Sequence, residues 1–236
     1  EQEMPVQGSY TQEEKLKLKS KSIPHERKGK IKSAIAIKLN VSANKNITAS
    51  DSLRPFQDIY GSKWAPELGM AYELKPMYSE WFGSVGIVFS VGFGFHEGIG
   101  IFKKALVNNK TGTAFASESQ TRFKFFTIPI GAGLNYRFNL LRILRPYIQA
   151  QGALIGFIET RSDEQKNKRG FSKCALTSGG INLLLDWFSK NFDWDIYEES
   201  GIKHSYLTLD YTKVFTYSSN VAFNASSWNL GFTYEF

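Results

Sequence analysis

The last ten residues of the chain, 227–236, alternate between large apolar side chains and small or polar ones. The large residues fall on every second position and are Trp228, Leu230, Phe232, Tyr234 and Phe236. Because successive side chains of a β-strand point to opposite faces, this spacing predicts a strand with one wholly apolar face. Soluble antiparallel sheets also alternate in this way, so a sandwich strand is the competing interpretation. Five bulky side chains that end at the final residue are, however, unusual for the terminus of a soluble sheet.

A strand predicted at about 84–95 shows which face is crowded. Its large residues include Val85, Phe89 and Phe93, whereas the positions between them include Gly86 and Gly92. Glycines weaken a strand and are tolerated where the backbone must curve or crowd, as on the inside of a narrow barrel. Small residues inside and large residues outside invert the pattern of a soluble core. The inversion favours a closed barrel with lipid outside.

Composition is compatible with this interpretation but does not establish it. The 236-residue chain is 42% hydrophobic, as many soluble proteins are, yet a membrane barrel averages lipid-facing with lumen-facing residues and gives the same value. No run of eighteen apolar residues is present, which argues against a transmembrane helix. An aromatic content of 15% together with 20 glycines favours strands and tight turns over helices.

The periodicity predicts an all-β chain of eight antiparallel strands. These lie at about 31–41, 67–75, 84–95, 122–138, 146–161, 174–186, 202–215 and 227–236. The polar stretches 42–65 and 97–121 are predicted to be long extracellular loops. Pro129 predicts a local break or bulge in the fourth strand, because proline removes a hydrogen-bond donor from the ladder. Residues 187–201 predict an amphipathic helical turn at the membrane interface, with an extension of the next strand as the alternative.

The terminal strand resembles the closing strand of bacterial outer-membrane barrels, which ends in Phe and is the recognition signal for the insertion machinery. Over residues 31–236 the chain is similar to the small eight-stranded class that includes OmpW, OmpX and the transmembrane domain of OmpA. The resemblance implies a closed antiparallel transmembrane β-barrel in the bacterial outer membrane, surrounded by outer-membrane lipids and lipopolysaccharide. It also implies a signal peptide cleaved before Glu1 and lipid-facing aromatic girdles. Pro129 and the long segment near 187–201 leave ten strands open.

Residues 1–30 are polar and charged and have almost no apolar periodicity. Such a segment buries little surface, so we expect a flexible periplasmic segment ahead of a barrel at 31–236. It is either an arm that docks an envelope protein partner or a solvated leader without one. The net charge of +7 is compatible with nucleic acid, but the basic residues form no face interleaved with aromatics, which argues against that partner.

The inward-facing positions carry a set of charges that predicts a site inside the barrel. They are Lys32, Lys38, Glu73, Arg137, His204, Asp210 and Glu235. An eight-stranded barrel is only wide enough for side chains, and unpaired charges there are costly, so an ion-pair network that plugs the lumen is expected. The alternative is a narrow ion path through the same pairs.

Catalytic, cofactor and metal sites are not predicted. Two lipid A-modifying enzyme families share this architecture, and the deacylase needs His and Ser on one face; His204 and Ser205 are adjacent and point to opposite faces. One cysteine, Cys174, and three histidines give no metal-ligand pattern. The sequence therefore predicts a non-enzymatic structural or partner-binding barrel. A small channel for ions or hydrophilic solutes and a lipid-modifying enzyme are the alternatives.

Overall fold

The computed structural model describes residues 31–49, 60, 67–79, 82–101, 106–107, 114–115, 118–139, 143–162, 167–186, 200–218 and 221–236. Its strands are β1 Ser33–Ala49, β2 Glu67–Ser79, β3 Gly83–Ile101, β4 Leu106–Val107, β5 Ala114–Phe115, β6 Glu118–Arg137, β7 Leu144–Arg161, β8 Lys168–Leu184, β9 His204–Ser218 and β10 Val221–Glu235. The eight long strands form one closed antiparallel ring, in which β10 pairs with β1, and β4 and β5 form a separate two-stranded sheet. The predicted eight-stranded all-β barrel is confirmed. Among the residues given above, no helix has the length and apolarity needed to cross a membrane.

The strand register fixes the width of the barrel. A path that starts at Lys173 on β8 and steps from each residue to its partner on the next strand returns to β8 at Leu183 after one circuit of the ring. Leu183 is ten residues further along β8 than Lys173. With eight strands, usual strand spacings give this offset a tilt of roughly 40° and a backbone radius of roughly 8 Å. A cylinder of this size has room for side chains and little else.

The barrel has two distinguishable ends. The start of β1 and the end of β10 lie together at one end, here called the terminal end. The connections from β1 to β2 and from β3 to β6, residues 50–66 and 102–117, leave from the opposite end, here called the loop end. The connection from β8 to β9, residues 185–203, is also long and leaves from the terminal end.

Large apolar side chains cover the outside of the barrel. Phe89 is 49% exposed, Ile130 57% and Phe232 47%. In contrast, Arg137 is 6% exposed and Asp210 1%. A soluble protein rarely exposes so extensive an apolar surface. The faces predicted from the alternation are therefore correct for these five residues, and the outer wall is suited to lipid.

Pro129 interrupts the pairing of β6 with β3 but does not shift the register. On the β3 side, pairing stops at Val91–Ile130 and resumes in the same register at Gly94–Thr127, whereas β7 pairs with β6 continuously. Proline has no N–H to give to β3, which explains the gap. A Cβ on Gly92 would lie 2.9 Å from Cγ of Pro129, so the glycine makes room for the ring. The predicted break is present on one side, and the predicted bulge is not.

Several strands extend beyond the predicted boundaries. β1 runs to Ala49, into the predicted first loop, and β8 already begins at Lys168. β9 and β10 are separated only by residues 219 and 220, where a loop from 216 to 226 was predicted. Polar residues replace lipid-facing ones near the loop end, so the apolar alternation stops before the ladder does. Residues 1–30 and most of the predicted interfacial helix at 187–201 lie outside the described part of the chain.

Candidate functional site: the barrel lumen

The structure brings five of the seven predicted lumen charges into the interior. They are Lys38, Glu73, Arg137, Asp210 and Glu235. Lys32 is exposed and precedes β1, so it is not part of the lumen, and its prediction is corrected. His204 is half-buried at the first position of β9, and its Nδ1 lies 2.6 Å from Oδ2 of Asp186 rather than within the central network.

Glu235 is the last residue of β10, and its carboxylate contacts three side chains. Its Oε1 accepts a hydrogen bond from Nζ of Lys75, and both side chains are 1% exposed. Its Oε2 accepts bonds from Nη1 of Arg145 at 3.2 Å and from the Tyr206 hydroxyl at 3.0 Å. The predicted site did not include these three partners. Lys75 was detectable because it lies two positions from Glu73 on β2. Arg145 is the second residue of β7 and precedes the predicted start of that strand at 146, so the predicted alternation did not include it.

A second cluster surrounds Glu73. Its Oε2 accepts hydrogen bonds from Nε and Nη2 of Arg137 and from Nδ2 of Asn135, with Nε and Nδ2 each at 3.0 Å. A Cβ on Gly86 would lie 2.3 Å from Oε1 of Glu73. The absence of a side chain at Gly86, one of the glycines that indicated a crowded interior, therefore gives the carboxylate its space.

A third cluster joins β1, β7 and β9. Nζ of Lys38 lies 2.7 Å from Oδ2 of Asp210 and donates to the Tyr147 hydroxyl at 2.9 Å. That hydroxyl in turn donates to Asp210 at 2.7 Å, and Nδ2 of Asn229 donates to the same carboxylate at 2.8 Å. The guanidinium of Arg137 lies 5.7 Å from the Tyr147 ring centroid and links this cluster to the one around Glu73.

These three clusters together form what we call the ionic layer. Its charged members are Lys38, Lys75, Arg137, Arg145, Glu73, Asp210 and Glu235. Four cations face three anions, and each anion has at least one cation within ion-pair distance. The cavity beside Glu73, Arg137 and Tyr147 has a volume of about 10 Å³, roughly that of a single water. Side chains therefore occupy most of the space around this cavity.

Toward the loop end the interior is apolar, which the sequence analysis did not predict. Phe125, Phe157 and Phe223 stack with ring centroids 5.9 to 6.3 Å apart and pack with Ile155. We call these rings and Tyr60, which lies 5.7 Å from Phe125, the aromatic layer. The signal was available in part: Phe125 and Phe157 lie inside the predicted strands 122–138 and 146–161 but were not singled out, and Phe223 fell in the predicted loop at 216–226.

Tyr60 belongs to the connection between β1 and β2 and lies over the aromatic layer. It is 5% exposed, and its hydroxyl donates to Oε2 of Glu159 at 2.9 Å. Burial, together with the neighbouring Glu159 carboxylate, raises the pKa of the Tyr60 hydroxyl well above its usual range. The hydroxyl therefore remains protonated and keeps donating this bond at any physiological pH.

No metal-binding group accompanies these layers in the part of the chain that the structure describes. No three His, Cys, Asp or Glu residues there are grouped to hold a metal ion. His204 pairs with Glu235 and Ser205 with Tyr234, so their side chains lie on opposite faces of β9. Asp186 contacts the His204 ring and accepts a hydrogen bond from the Ser205 backbone N–H. These contacts do not bring the His204 and Ser205 side chains together as a base and a nucleophile.

The closed eight-stranded ring, the apolar outer wall and the charged interior define the class: the protein is a β-barrel of the bacterial outer membrane. Solved structures with this fold include Ail of Yersinia pestis in complex with the heparin analogue sucrose octasulfate, with 12% identity, a TM-score of 0.48 and coverage of 88% of this chain and 100% of that one.

Two further structures have the same fold. OprG of Pseudomonas aeruginosa has 12% identity and a TM-score of 0.48, and the match covers 88% of this chain and 97% of the OprG chain. Neisserial surface protein A has 12% identity and a TM-score of 0.46, with coverage of 86% and 97%. No family model and no curated protein matches the sequence. At this identity the likeness concerns the fold alone.

Proposed function

We propose that this protein is a sealed outer-membrane barrel that serves as a structural or partner-binding component of the envelope. One observation carries the proposal: the lumen is filled at two successive levels, by the ionic layer and by the aromatic layer. Side chains from β1, β2, β6, β7, β9 and β10 contribute to the ionic layer, so its contacts cross the whole interior.

Each layer opposes conduction for a different physical reason. An ion entering the ionic layer must displace buried charges from partners such as Lys75 and Glu235, which leaves uncompensated charge in the interior. An ion entering the aromatic layer must give up its hydration among Phe125, Phe157 and Phe223, and hydrophobic constrictions exclude ions in this way. Because the two layers lie in series, either one is sufficient to close the barrel.

The sealed-barrel proposal is tested by planar-bilayer recording of the purified, refolded protein. The expected result is no discrete conductance step at either polarity, under conditions in which a general porin conducts. Regular steps of one size from the wild-type protein would overturn the proposal in favour of a channel for ions or small solutes. Heat-modifiable migration on gels verifies that the recorded sample is a folded barrel.

The enzyme alternative is tested separately. We propose that the protein does not modify lipids, since His204 and Ser205 do not share a face and no cofactor site is inferred. Expression in a Gram-negative host is then expected to leave the lipid A mass spectrum unchanged. A new lipid A species that appears with the wild-type chain would contradict this part of the proposal.

We also propose that the insertion machinery recognises β10 before the barrel closes. In the closed barrel both edges of β10 are paired, with β1 and with β9, so its backbone has no free edge to present. Its outward side chains Trp228, Leu230 and Phe232 are 51%, 42% and 47% exposed and meet lipid after closure. Recognition through an added strand therefore requires the open form.

Exposed aromatic rings near both ends support the proposed interfacial girdles. Phe82 is 79% exposed at the terminal end, and Phe171 and Tyr217 are 68% and 76% exposed toward the loop end. Amphipathic and aromatic rings are favoured at the membrane–water interfaces of barrels. The test places fluorinated phenylalanine at these three sites and measures how far a paramagnetic label on the lipid headgroups quenches its signal. Quenching from the headgroups is expected and indicates interfacial depth. Quenching only by a label at the bilayer centre would contradict the proposed girdles.

A further inference from the structure

The outer wall of the barrel carries a groove that neither lumen layer explains. It has a volume of about 810 Å³ and runs across the strands from β8 to β1. Ala132 and Gly152 lie in it, between larger side chains such as Ile130, Leu154 and Phe89. Gly152 is exposed, and a Cβ added there would meet no atom within 4 Å. The groove is therefore open space on the lipid-facing side.

The groove descends through about one leaflet. It follows paired residues from Lys173 on β8 toward Ile35 on β1, across five strand-to-strand steps, or roughly 24 Å. A strand tilt of roughly 40° converts this path into a descent of roughly 15 Å, half the thickness of a hydrocarbon core. Its upper end is at Lys173, because the register falls toward the terminal end in this direction around the ring.

Among the described residues, Lys173 is the only charged one that lines the groove. It is exposed, and it pairs with the outward-facing Leu154 on β7, so its side chain leaves the wall beside apolar neighbours. A lysine at such a position lays its methylene stem along the apolar surface and holds the ammonium toward the interface. The ammonium is thus placed at the headgroup end of an apolar groove.

Further cations point outward around this position, toward the loop end of the wall. Together with Lys173 we call them the basic rim: Arg122, Lys124, Arg169 and Lys173, all exposed. Arg169 is four residues from Lys173 on β8, with the 68% exposed Phe171 between them. Glu97 is the one acid on this part of the described wall, and it pairs with Lys124.

We propose that the groove and the basic rim form a binding site for lipopolysaccharide, with one acyl chain in the groove and phosphate groups on the rim. An apolar groove one leaflet deep matches an acyl chain, and Lys173 at its upper end matches a phosphate. Four cations on two strands match a lipid with more than one phosphate better than a phospholipid with one. The loop end faces the outer leaflet, since barrels keep short turns and termini on the periplasmic side. The inference rests on the outer-membrane location and not on the sealed lumen.

The test is native mass spectrometry of the full chain extracted from outer membranes in mild detergent, followed by titration of delipidated protein with lipopolysaccharide or with phosphatidylglycerol. Two variants probe the site. Gly152→Leu fills the groove, and Lys173→Gln removes its cation. Their matched controls are Gly156→Leu, on the same strand and face with no atom closer than 3.7 Å to the added Cβ, and Lys168→Gln, which is exposed on the same strand but does not line the groove.

We expect retained lipopolysaccharide to fall about fivefold in Lys173→Gln, the effect of one interfacial cation on an anionic lipid. Gly152→Leu is expected to lower it at least as much, and both controls are expected to match the wild type. Equal retention in all five proteins, or phosphatidylglycerol binding as tightly as lipopolysaccharide, would overturn the inference. Heat-modifiable migration verifies folding, and if Gly152→Leu fails to fold, Lys173→Gln against Lys168→Gln decides. Conductance is unaffected by either result, so a failure here leaves the sealed-barrel proposal standing.

Discussion

At the scale of single residues, Glu235 contacts two cations, more than either other carboxylate of the ionic layer. The cations are the buried Lys75 and the half-buried Arg145, and Glu235 accepts a third bond from Tyr206. Replacing it with a neutral residue leaves both cations without a counter-charge, and breaking a buried pair costs far more than the pair contributes in net stability. The residue is therefore expected to act on stability, in addition to its place beside the proposed insertion signal.

The first prediction concerns Glu235→Gln. The amide keeps the shape of the side chain but not its charge, so the free energy of unfolding is expected to fall by about 3–5 kcal/mol. Urea titration of the protein in lipid vesicles, followed by tryptophan fluorescence, measures this loss. Glu97→Gln is the control: it is exposed on the outer wall, and its effect is expected to stay within about 0.5 kcal/mol. Equal losses in the two variants would show that the network contributes nothing.

The second prediction concerns the glycine beside Glu73. In Gly86→Ala the added methyl would lie 2.3 Å from Oε1 of Glu73, so the carboxylate must move away from Arg137 and Asn135. We expect a loss of about 1–3 kcal/mol, typical of overpacking, in the same urea titration. Gly69→Ala is the matched control, because the nearest atom to its Cβ is 3.9 Å away. A loss as large in the control would assign the effect to strand flexibility.

At the scale of the strands, facing is what the sequence predicted best. Alternation assigned Phe89, Ile130 and Phe232 to the outside and Asp210 to the inside, because a strand allows only two faces. Strand ends were predicted poorly, because the apolar signal stops where the lipid stops while hydrogen bonding continues, as at Ala49 and Lys168. The site was predicted in part: charges on regular alternation were found, whereas Arg145 and Phe223 lie where the alternation was taken to have ended. Phe125 and Phe157 lie inside predicted strands, but their apolar character gave no reason to place them in a charged lumen.

The third prediction tests which face of β3 meets lipid and how deep its residues lie in the membrane. Val91 lies near the middle of β3 on the lipid-facing side and is 49% exposed. Val91→Arg is expected to lower the free energy of unfolding in vesicles by about 2–4 kcal/mol, the cost of a cation at the bilayer midplane. Phe171→Arg, near the loop end of β8, is expected to cost less, about 0–1 kcal/mol from the charge itself. A larger cost at residue 171 than at residue 91 would contradict the assigned membrane depth.

At the scale of the whole molecule, the barrel combines three kinds of environment. The outer wall is apolar with a basic rim, the terminal half of the lumen is ionic, and the loop half of the lumen is aromatic. The two halves of the lumen differ in the side chains that meet inside them. Polar residues from facing strands form the ionic layer, whereas apolar residues, together with Tyr60, form the aromatic layer. Under the proposed function, the outer wall is the described surface that remains for partners, because the two layers occupy the lumen.

The last prediction follows from the two lumen layers lying in series. Phe125→Ala with Phe157→Ala takes two of the four rings from the aromatic layer and leaves the ionic layer complete. Alanine at both Glu73 and Arg137 removes one of the three clusters of the ionic layer and leaves the aromatic layer complete. Neither double variant is therefore expected to conduct in planar bilayers, whereas the combination of all four substitutions is expected to give small discrete steps. Paired removal of Glu73 and Arg137 avoids leaving one buried charge unpaired, which keeps the folding cost moderate. Heat-modifiable migration verifies each sample, and steps in a folded variant that lacks only one layer would show that the layers do not act in series.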